Sequence, residues 1–276
     1  MTKRDSDRYE IDPSDGLRRE IVGGWSVDKH KRLKRYVDIT RATRRKFDKS
    51  GSTYIDLYCG TGRLRIKSTG EVSDGSPLVA YRQSESDSPF SQIHIADVDS
   101  ENLAACASRL EMAGAESVIA QSGPANETVS RICRRLHPSG LHLAFLDPYS
   151  IGALPFSVLQ ELGELRRMDL IVHVSEMDLQ RNIIAMAQDG VLDRFAPGWE
   201  RAVDLNQRND VAKRQLLEYW RSLLSAMGYL VSDNIERVTG QKNQPLYWLV
   251  LASKNSLADK FWGQVSNVEP QMRLTF

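Results

Sequence analysis

Short apolar runs alternate with amphipathic stretches along most of this 276-residue chain. That alternation builds an open, mostly parallel sheet with helices on both faces, an α/β architecture. Strand-like runs occupy Ser52 to Tyr58, Ile93 to Ala96, Ser117 to Ala120, Leu141 to Leu146 and Asp169 to Val174. The run from Leu141 is almost wholly apolar, as expected of a central strand buried on both faces. Between the runs, helical spacing is carried by Leu103, Cys106, Leu110 and Met112, by Glu127 to Leu136 and by Pro155 to Leu165. Ser76 as N-cap and Pro77 in the first turn predict a further helix start. A longer helix is expected from about Asp210 to Met227, with Leu216, Leu217, Trp220 and Leu224 on its apolar side. Two strands close the pattern, Tyr229 to Val238 and Pro245 to Ser253, and the turn Thr239-Gly240-Gln241-Lys242-Asn243 joins them as a hairpin.

Other segments depart from the alternation. Residues 1 to about 20 are polar and without periodicity, which predicts a mobile or loosely draped arm. A helix follows, with Asp28 as N-cap and an apolar stripe of Leu33, Tyr36, Val37 and Ile39 inside the basic run Lys29 to Lys46. The connection from Arg63 to Gln92 is unusually long, and leaves Arg63, Arg65 and Lys67 on an inserted loop near the end of the first strand. Residues 176–210 predict an irregular or helical cap around Phe195 and Trp199. The expected organisation is an N-terminal arm and basic helix over 1–50, an α/β domain over 51–262 with that cap inserted, and a C-terminal tail over 263–276.

Charge changes this picture only locally. With 37 basic and 36 acidic residues the net charge is +1, so the global balance favours no polyanionic partner. The run Lys29 to Lys46 has two readings, a solvated helix face or a surface for nucleic acid. Cys59, Cys106 and Cys133 are widely separated, as expected of reduced thiols in a cytoplasmic protein, and predict neither a disulfide framework nor a zinc site. The start of the chain lacks the apolar segment of a signal peptide, and no window reaches the roughly 18 to 20 apolar residues of a membrane span. His30, His94, His137, His142 and His173 show no metal-ligand spacing and are expected to be structural. Neither Gly-x-Ser-x-Gly nor a phosphate-loop lysine motif occurs, which argues against hydrolase and nucleoside-triphosphatase chemistry.

Candidate chemistry begins at Tyr54-Ile55-Asp56-Leu57-Tyr58-Cys59-Gly60-Thr61-Gly62, where an apolar run breaks into an acid and a Gly-x-Gly turn. Glycines let the backbone turn sharply at a strand end and approach a ligand, while the carboxylate can hydrogen-bond a ribose or amino group. The third glycine of the dinucleotide fingerprint is missing, and the stretch resembles the first motif of Rossmann-like methyltransferases, which receives S-adenosylmethionine. Three acids, Asp56, Asp97 and Asp147, end three different strands, and in a doubly wound sheet those ends converge on one crevice. Asp97 has the position that binds ribose hydroxyls, with Asp99 as the near alternative or a helix cap. Asp147-Pro148-Tyr149 looks like a contraction of the Asp-Pro-Pro-Tyr signature of amino-methyltransferases. One proline is absent, so adenine amino-methylation is not carried over; Asp147 is expected to act as a base or to orient the methyl group, and Tyr149 to stack on an acceptor or pack under the loop. Cys59 is expected to be a small turn residue beside the cofactor, because no Pro-Cys nucleophile of cytosine methyltransferases exists here.

The order of these landmarks resembles the three-Cys-motif partner family, named for a neighbouring protein that carries three cysteines. The matching pieces include Trp25 with Lys29 to Tyr36, the glycine turn, Gly75-Ser76-Pro77-Leu78, Asp97-Val98-Asp99, Asn126-Glu127, Phe145 to Tyr149 and Pro245 to Leu249. They span roughly Trp25 to Trp262. The resemblance implies a seven-stranded Rossmann-like methyltransferase sheet with a C-terminal antiparallel hairpin, a helical N-terminal extension and inserted loops. It also implies S-adenosylmethionine as cofactor and a three-cysteine-motif protein as partner. The chain departs from the family pattern at Cys59 and Thr61 in the glycine loop, and at Pro124, where the family commonly has an Asp; Ser122 or Asn126 would then replace that contact. The expectation is a methyltransferase of unspecified acceptor, with Asp56, Gly60, Gly62, Asp97, Asp99 and Asn126 on the cofactor and Asp147 and Tyr149 at the acceptor. The alternative is a non-catalytic binding partner of the same fold, using the basic helix or the cap around Trp199.

Overall fold

A computed structural model describes residues 8–233, 235–239 and 244–266. In chain order its strands are β1 (Tyr9–Ile11), β2 (Arg18–Val22), β3 (Ser52–Asp56), β4 (Arg63–Ile66), β5 (Val72–Asp74), β6 (Gln92–Asp97), β7 (Val118–Ser122), β8 (Leu141–Leu146), β9 (Met168–Val174), β10 (Leu230–Val231), β11 (Glu236–Thr239) and β12 (Pro245–Ser253). The helices are α1 (Trp25–Ile39), α2 (Arg41–Arg45), α3 (Ser76–Glu85), α4 (Ser100–Met112), α5 (Ala125–Cys133), α6 (Phe156–Gly163), α7 (Glu176–Gln188), α8 (Val191–Phe195), α9 (Asn209–Ala226) and α10 (Ser256–Ser266). None of the described helices is long and apolar enough to cross a membrane.

The main sheet runs β7-β6-β3-β8-β9-β12, with the first five strands parallel and β12 antiparallel to β9. Both β10 and β11 pair with the far edge of β12. The expected strand Tyr229 to Val238 is therefore two segments, interrupted where Ile235 donates its N–H back to Asp233 O at 2.9 Å, and the sheet has eight strand segments rather than seven strands. Of the hairpin turn, residues 240–243 lie outside the described residues. Because β3 is flanked by β6 on one side and β8 on the other, the winding direction reverses at β3, and such a switch point opens a crevice at the carboxyl ends of the strands.

Period-two alternation assigns the core side chains to two faces. Ile55, Ala144, Leu146, Leu170 and Val172 pack with Trp220 beneath α5, α6, α7 and α9. Tyr54, Ile95, Phe145 and Ile171 face the other way, against Leu33 and Tyr36 of α1 and Trp262 of α10. The apolar stripe expected on α1 is thus a core face, although the helix begins at Trp25, three residues before Asp28, with Gly24 at its N-cap. Tyr36 fixes its register by donating its hydroxyl to Asp169 Oδ2 at 2.9 Å, inside the protein. In α3 the N-cap is Gly75, one residue before Ser76.

The largest difference from expectation lies at the N-terminus. Residues 1–7 of the arm lie outside the described residues; from Arg8 onward it is folded, and β1 and β2 join β4 and β5 of the long 63–92 connection in a four-stranded sheet of order β1-β2-β4-β5. Charge pairs hold it. Glu10 accepts from Arg19 and Arg65, both at 2.6 Å, and Arg63 reaches Asp15 at 3.1 Å and Asp12 at 3.4 Å. The key to this sheet is Arg109 of α4, 2% exposed. It donates to both carboxylate oxygens of Asp15, at 2.8 and 3.0 Å, and to the carbonyls of Arg18 and Thr61, both at 2.7 Å. One buried guanidinium therefore ties the N-terminal arm to the glycine turn.

Candidate active site

A cleft of about 1670 Å³ opens at the carboxyl ends of the parallel strands. The small sheet walls one side with Tyr9 and Glu20, α1 contributes Trp25 and Lys29, and the cap contributes Asp193 and Arg194. Its floor is the glycine turn, the Asp97 to Asp99 segment, the start of α5 and the Asp147 to Tyr149 segment.

The two glycines of the turn divide their work. Gly60 lines the cleft at φ +55°, and a Cβ built there would come no closer to another atom than 3.7 Å, to Glu20 Oε2. Gly62, at φ +73°, faces inward: a Cβ would stand 2.9 Å from Leu78 Cδ1 and 3.2 Å from the backbone of Cys106. Of the two, Gly60 faces the open cleft, and Gly62 lets the turn pack onto α3 and α4.

Asp56 also faces inward. It is fully buried and absent from the cleft wall, and it accepts hydrogen bonds from the Ser76 hydroxyl at 2.6 Å, the Tyr58 N–H at 3.0 Å and the Tyr54 hydroxyl at 3.1 Å. Burial pushes its carboxyl up to about 7 despite those donors. The structure thus places Asp56 behind the turn, as the group that shapes it, and not in the crevice expected for all three acids.

Asp97 does reach the cleft. Its Oδ2 accepts the Gly60 N–H and its Oδ1 the Asp99 N–H, both at 2.9 Å. Burial raises its carboxyl above the usual carboxylate range; the two N–H groups oppose this, and the nearby charges of Asp99 and Glu20 add to it. Val98, 63% exposed, presents an apolar surface in the cleft beside it. Asp99 is the N-cap of α4, its Oδ1 accepting the Glu101 N–H at 2.9 Å and the Asn102 N–H at 3.3 Å, while Oδ2 takes Arg18 at 2.9 Å. Its carboxylate is therefore committed to the helix and the arm. Asn126 is exposed in the first turn of α5 and lines the cleft, next to Pro124, which is that helix's N-cap.

At the Asp147 end of the cleft the structure adds two neighbours of that acid that sequence reasoning missed, Lys29 and His173. Asp147 Oδ2 is ion-paired with Lys29 Nζ of α1, and its Oδ1 lies 3.5 Å from His173 Nδ1 at the end of β9. Burial pushes the Asp147 carboxyl up, but the Lys29 ammonium and the neighbouring histidines outweigh it and leave the net shift downward. Burial depresses both His30 and His173 to about 4, so both rings are neutral at pH 7. The His173 ring packs on Tyr247 with centroids 4.6 Å apart. Lys29 is consequently no part of an exposed basic face, and His173, expected to be structural, lines the cleft from β9. The signal for Lys29 was its spacing: Trp25, Lys29, Leu33 and Tyr36 lie on one side of a helix at intervals of four, four and three. Tyr149, 71% exposed, stands at the mouth of this end, where Trp25 is 43% exposed. Cys59 is a buried cleft residue whose thiol burial pushes well up, which leaves it unreactive.

No family model and no curated protein matches the chain. Among solved structures, protein LPL1258 from Legionella pneumophila is similar at a TM-score of 0.55, with 12% identity over 84% of this chain and 85% of that one. An O-methyltransferase from Bacillus cereus in complex with SAH is similar at a TM-score of 0.47, with 12% identity over 82% of this chain and 80% of that one. The O-methyltransferase TomG from Streptomyces achromogenes in complex with SAM gives 0.46, with 15% identity over 80% and 79%. The first of these likenesses shows a shared α/β fold with a mostly parallel central sheet.

Proposed function

We propose that the cleft binds S-adenosylmethionine and that the protein is a methyltransferase. The observation that carries this reading is the juxtaposition of Gly60, Asp97 and Val98 at the switch point of the sheet. It offers a turn without a side chain, a carboxylate with oxygen lone pairs left after its two backbone hydrogen bonds, and an exposed apolar residue beside them. A ribose fits the carboxylate, and a flat base fits Val98 with the polar Asn126 at its edge. When bound, the cofactor supplies an electrophilic methyl group on a sulfonium.

The chain's own part is to bind and align. Tyr149 and Trp25 offer exposed rings against which a planar acceptor can lie. Lys29 neutralises Asp147, which leaves the carboxylate as a fixed acceptor for a polar group of the substrate instead of a strong trap for cations. Burial depresses the His173 ring beside Asp147 to about 4, so this end of the cleft orients a polar acceptor and does not supply a strong base. Holding acceptor and methyl in line supplies most of the acceleration in such a transfer.

Calorimetry with S-adenosylmethionine and its demethylated product tests the reading. One equivalent should bind, and Asp97→Ala should abolish or severely weaken it; a parent protein that binds neither ligand refutes it. A nucleic-acid acceptor is a second reading, favoured by the exposed Lys31, Lys34 and Arg35 on α1, the helix whose first turns enter the cleft. Binding to DNA or RNA should then weaken steeply with salt and on neutralising Lys34 and Arg35; salt-independent affinity contradicts it.

A further inference from the structure

The small N-terminal sheet carries a charge pair into the cleft that the fold does not use. Arg8 donates its Nε to Glu20 Oε1 at 3.0 Å, and its second guanidinium nitrogen lies 2.9 Å from that same oxygen. Glu20 Oε2 has no hydrogen-bond or ion-pair partner among the described residues, and it is the atom that stands over the Gly60 turn, 3.7 Å from the position a Cβ would take. Glu20 is only 19% exposed at its side chain, so this oxygen is held in place over the turn, while Arg8 is half-exposed at 51%. Both residues line the cleft beside Asp97, whose carboxyl the Glu20 charge helps to raise. Two carboxylates and one guanidinium about a glycine turn leave an excess of one negative charge, which suits a ligand end with an ammonium and a carboxylate on a cationic molecule.

We propose that Glu20 and Arg8 form the subsite for the zwitterionic amino-acid end of the cofactor, with the ammonium on Glu20 Oε2 and the carboxylate on Arg8. This rests on the cofactor reading above and adds a claim about the arm: the small sheet is part of the binding site, and β2 supplies one of its anchoring charges. Arg109, which locks the sheet onto the glycine turn, keeps that charge in register without touching the ligand.

Two ligands separate the claims: S-adenosylhomocysteine, which has the amino-acid end, and 5′-methylthioadenosine, which lacks it. By calorimetry, Glu20→Gln should weaken S-adenosylhomocysteine by about 10- to 100-fold, the range of a lost charge-assisted hydrogen bond, and leave methylthioadenosine nearly unchanged. Glu10→Gln, which loosens the same sheet outside the cleft, should not discriminate between the two ligands. Equal weakening of both ligands by Glu20→Gln, or no effect on either while the parent binds both, overturns the subsite and leaves the cofactor reading intact. A parent that binds neither ligand removes both.

Discussion

Replacing each glycine of the turn with alanine separates packing from ligand approach. At Gly62 the new methyl meets Leu78 Cδ1 at 2.9 Å, Cys106 Sγ at 3.1 Å and Cys106 Cα at 3.2 Å, and the last of these is backbone that cannot swing away. Left-handed backbone strain of about 1–2 kcal/mol adds to overpacking of about 1–3 kcal/mol, so Gly62→Ala should cost about 2–5 kcal/mol. At Gly60 the nearest atom is 3.7 Å away, which leaves the strain alone, about 1–2 kcal/mol. Urea unfolding followed by tryptophan fluorescence measures both, with unchanged slopes as the check that the same transition is compared. For binding the order should reverse in kind: Gly60→Ala puts a methyl in the cleft and weakens S-adenosylhomocysteine, whereas the folded fraction of Gly62→Ala binds it normally. Equal destabilisation by the two, or a larger cost at Gly60, refutes the division.

Asp56 gives a pH signature. Its carboxyl is raised from 3.8 to about 7 in the folded protein, so its contribution is fully present below about pH 4 and is lost as pH rises towards 7, by up to about 4 kcal/mol. Urea midpoints should fall over that window in the parent and fall less in Asp56→Asn; parallel profiles contradict the assignment. Lys29→Met leaves the buried Asp147 without its cation and should cost about 2–4 kcal/mol, partly recovered in Lys29→Met with Asp147→Asn, by the same unfolding assay. No recovery in the double variant would mean that the pair is not what holds the site. Tyr149→Ala removes a ring that is 71% exposed and should change stability by less than about 0.5 kcal/mol. It should lower methyl transfer to the acceptor by roughly tenfold with cofactor affinity unchanged; a large unfolding effect would show that the ring is packed.

The main sheet was legible because burial on both faces leaves apolar runs that nothing else in the chain imitates, as in Leu141 to Leu146. Asp97 was legible by place, at the end of the strand beside the switch point, and Asp99 by its position before Ser100. The small sheet was invisible to the same reading. Its strands are held by Glu10, Asp12 and Asp15 against Arg19, Arg63 and Arg109, and apolar periodicity carries no trace of charge pairs, either within the arm, as Arg19 with Asp12, or from distant segments, as Arg63 and Arg109. Asp56 and Gly62 share a different cause. An acid and a glycine in a turn look alike whether they face ligand or core, and the deciding partners, Ser76 and Cys106, come from helices whose packing no local pattern states. Lys29 was hidden by composition: surrounded by basic residues, it looked like one more of them until the helix face was followed back to Trp25.

The most direct test of cofactor binding is a crystal structure of the protein grown with S-adenosylhomocysteine. The ribose should lie against Asp97, the base over Val98 and the amino-acid end above Gly60, with the sulfur turned toward the end of the cleft that holds Asp147 and Tyr149. A ligand lodged elsewhere, or an unchanged cleft at saturating concentration, contradicts it.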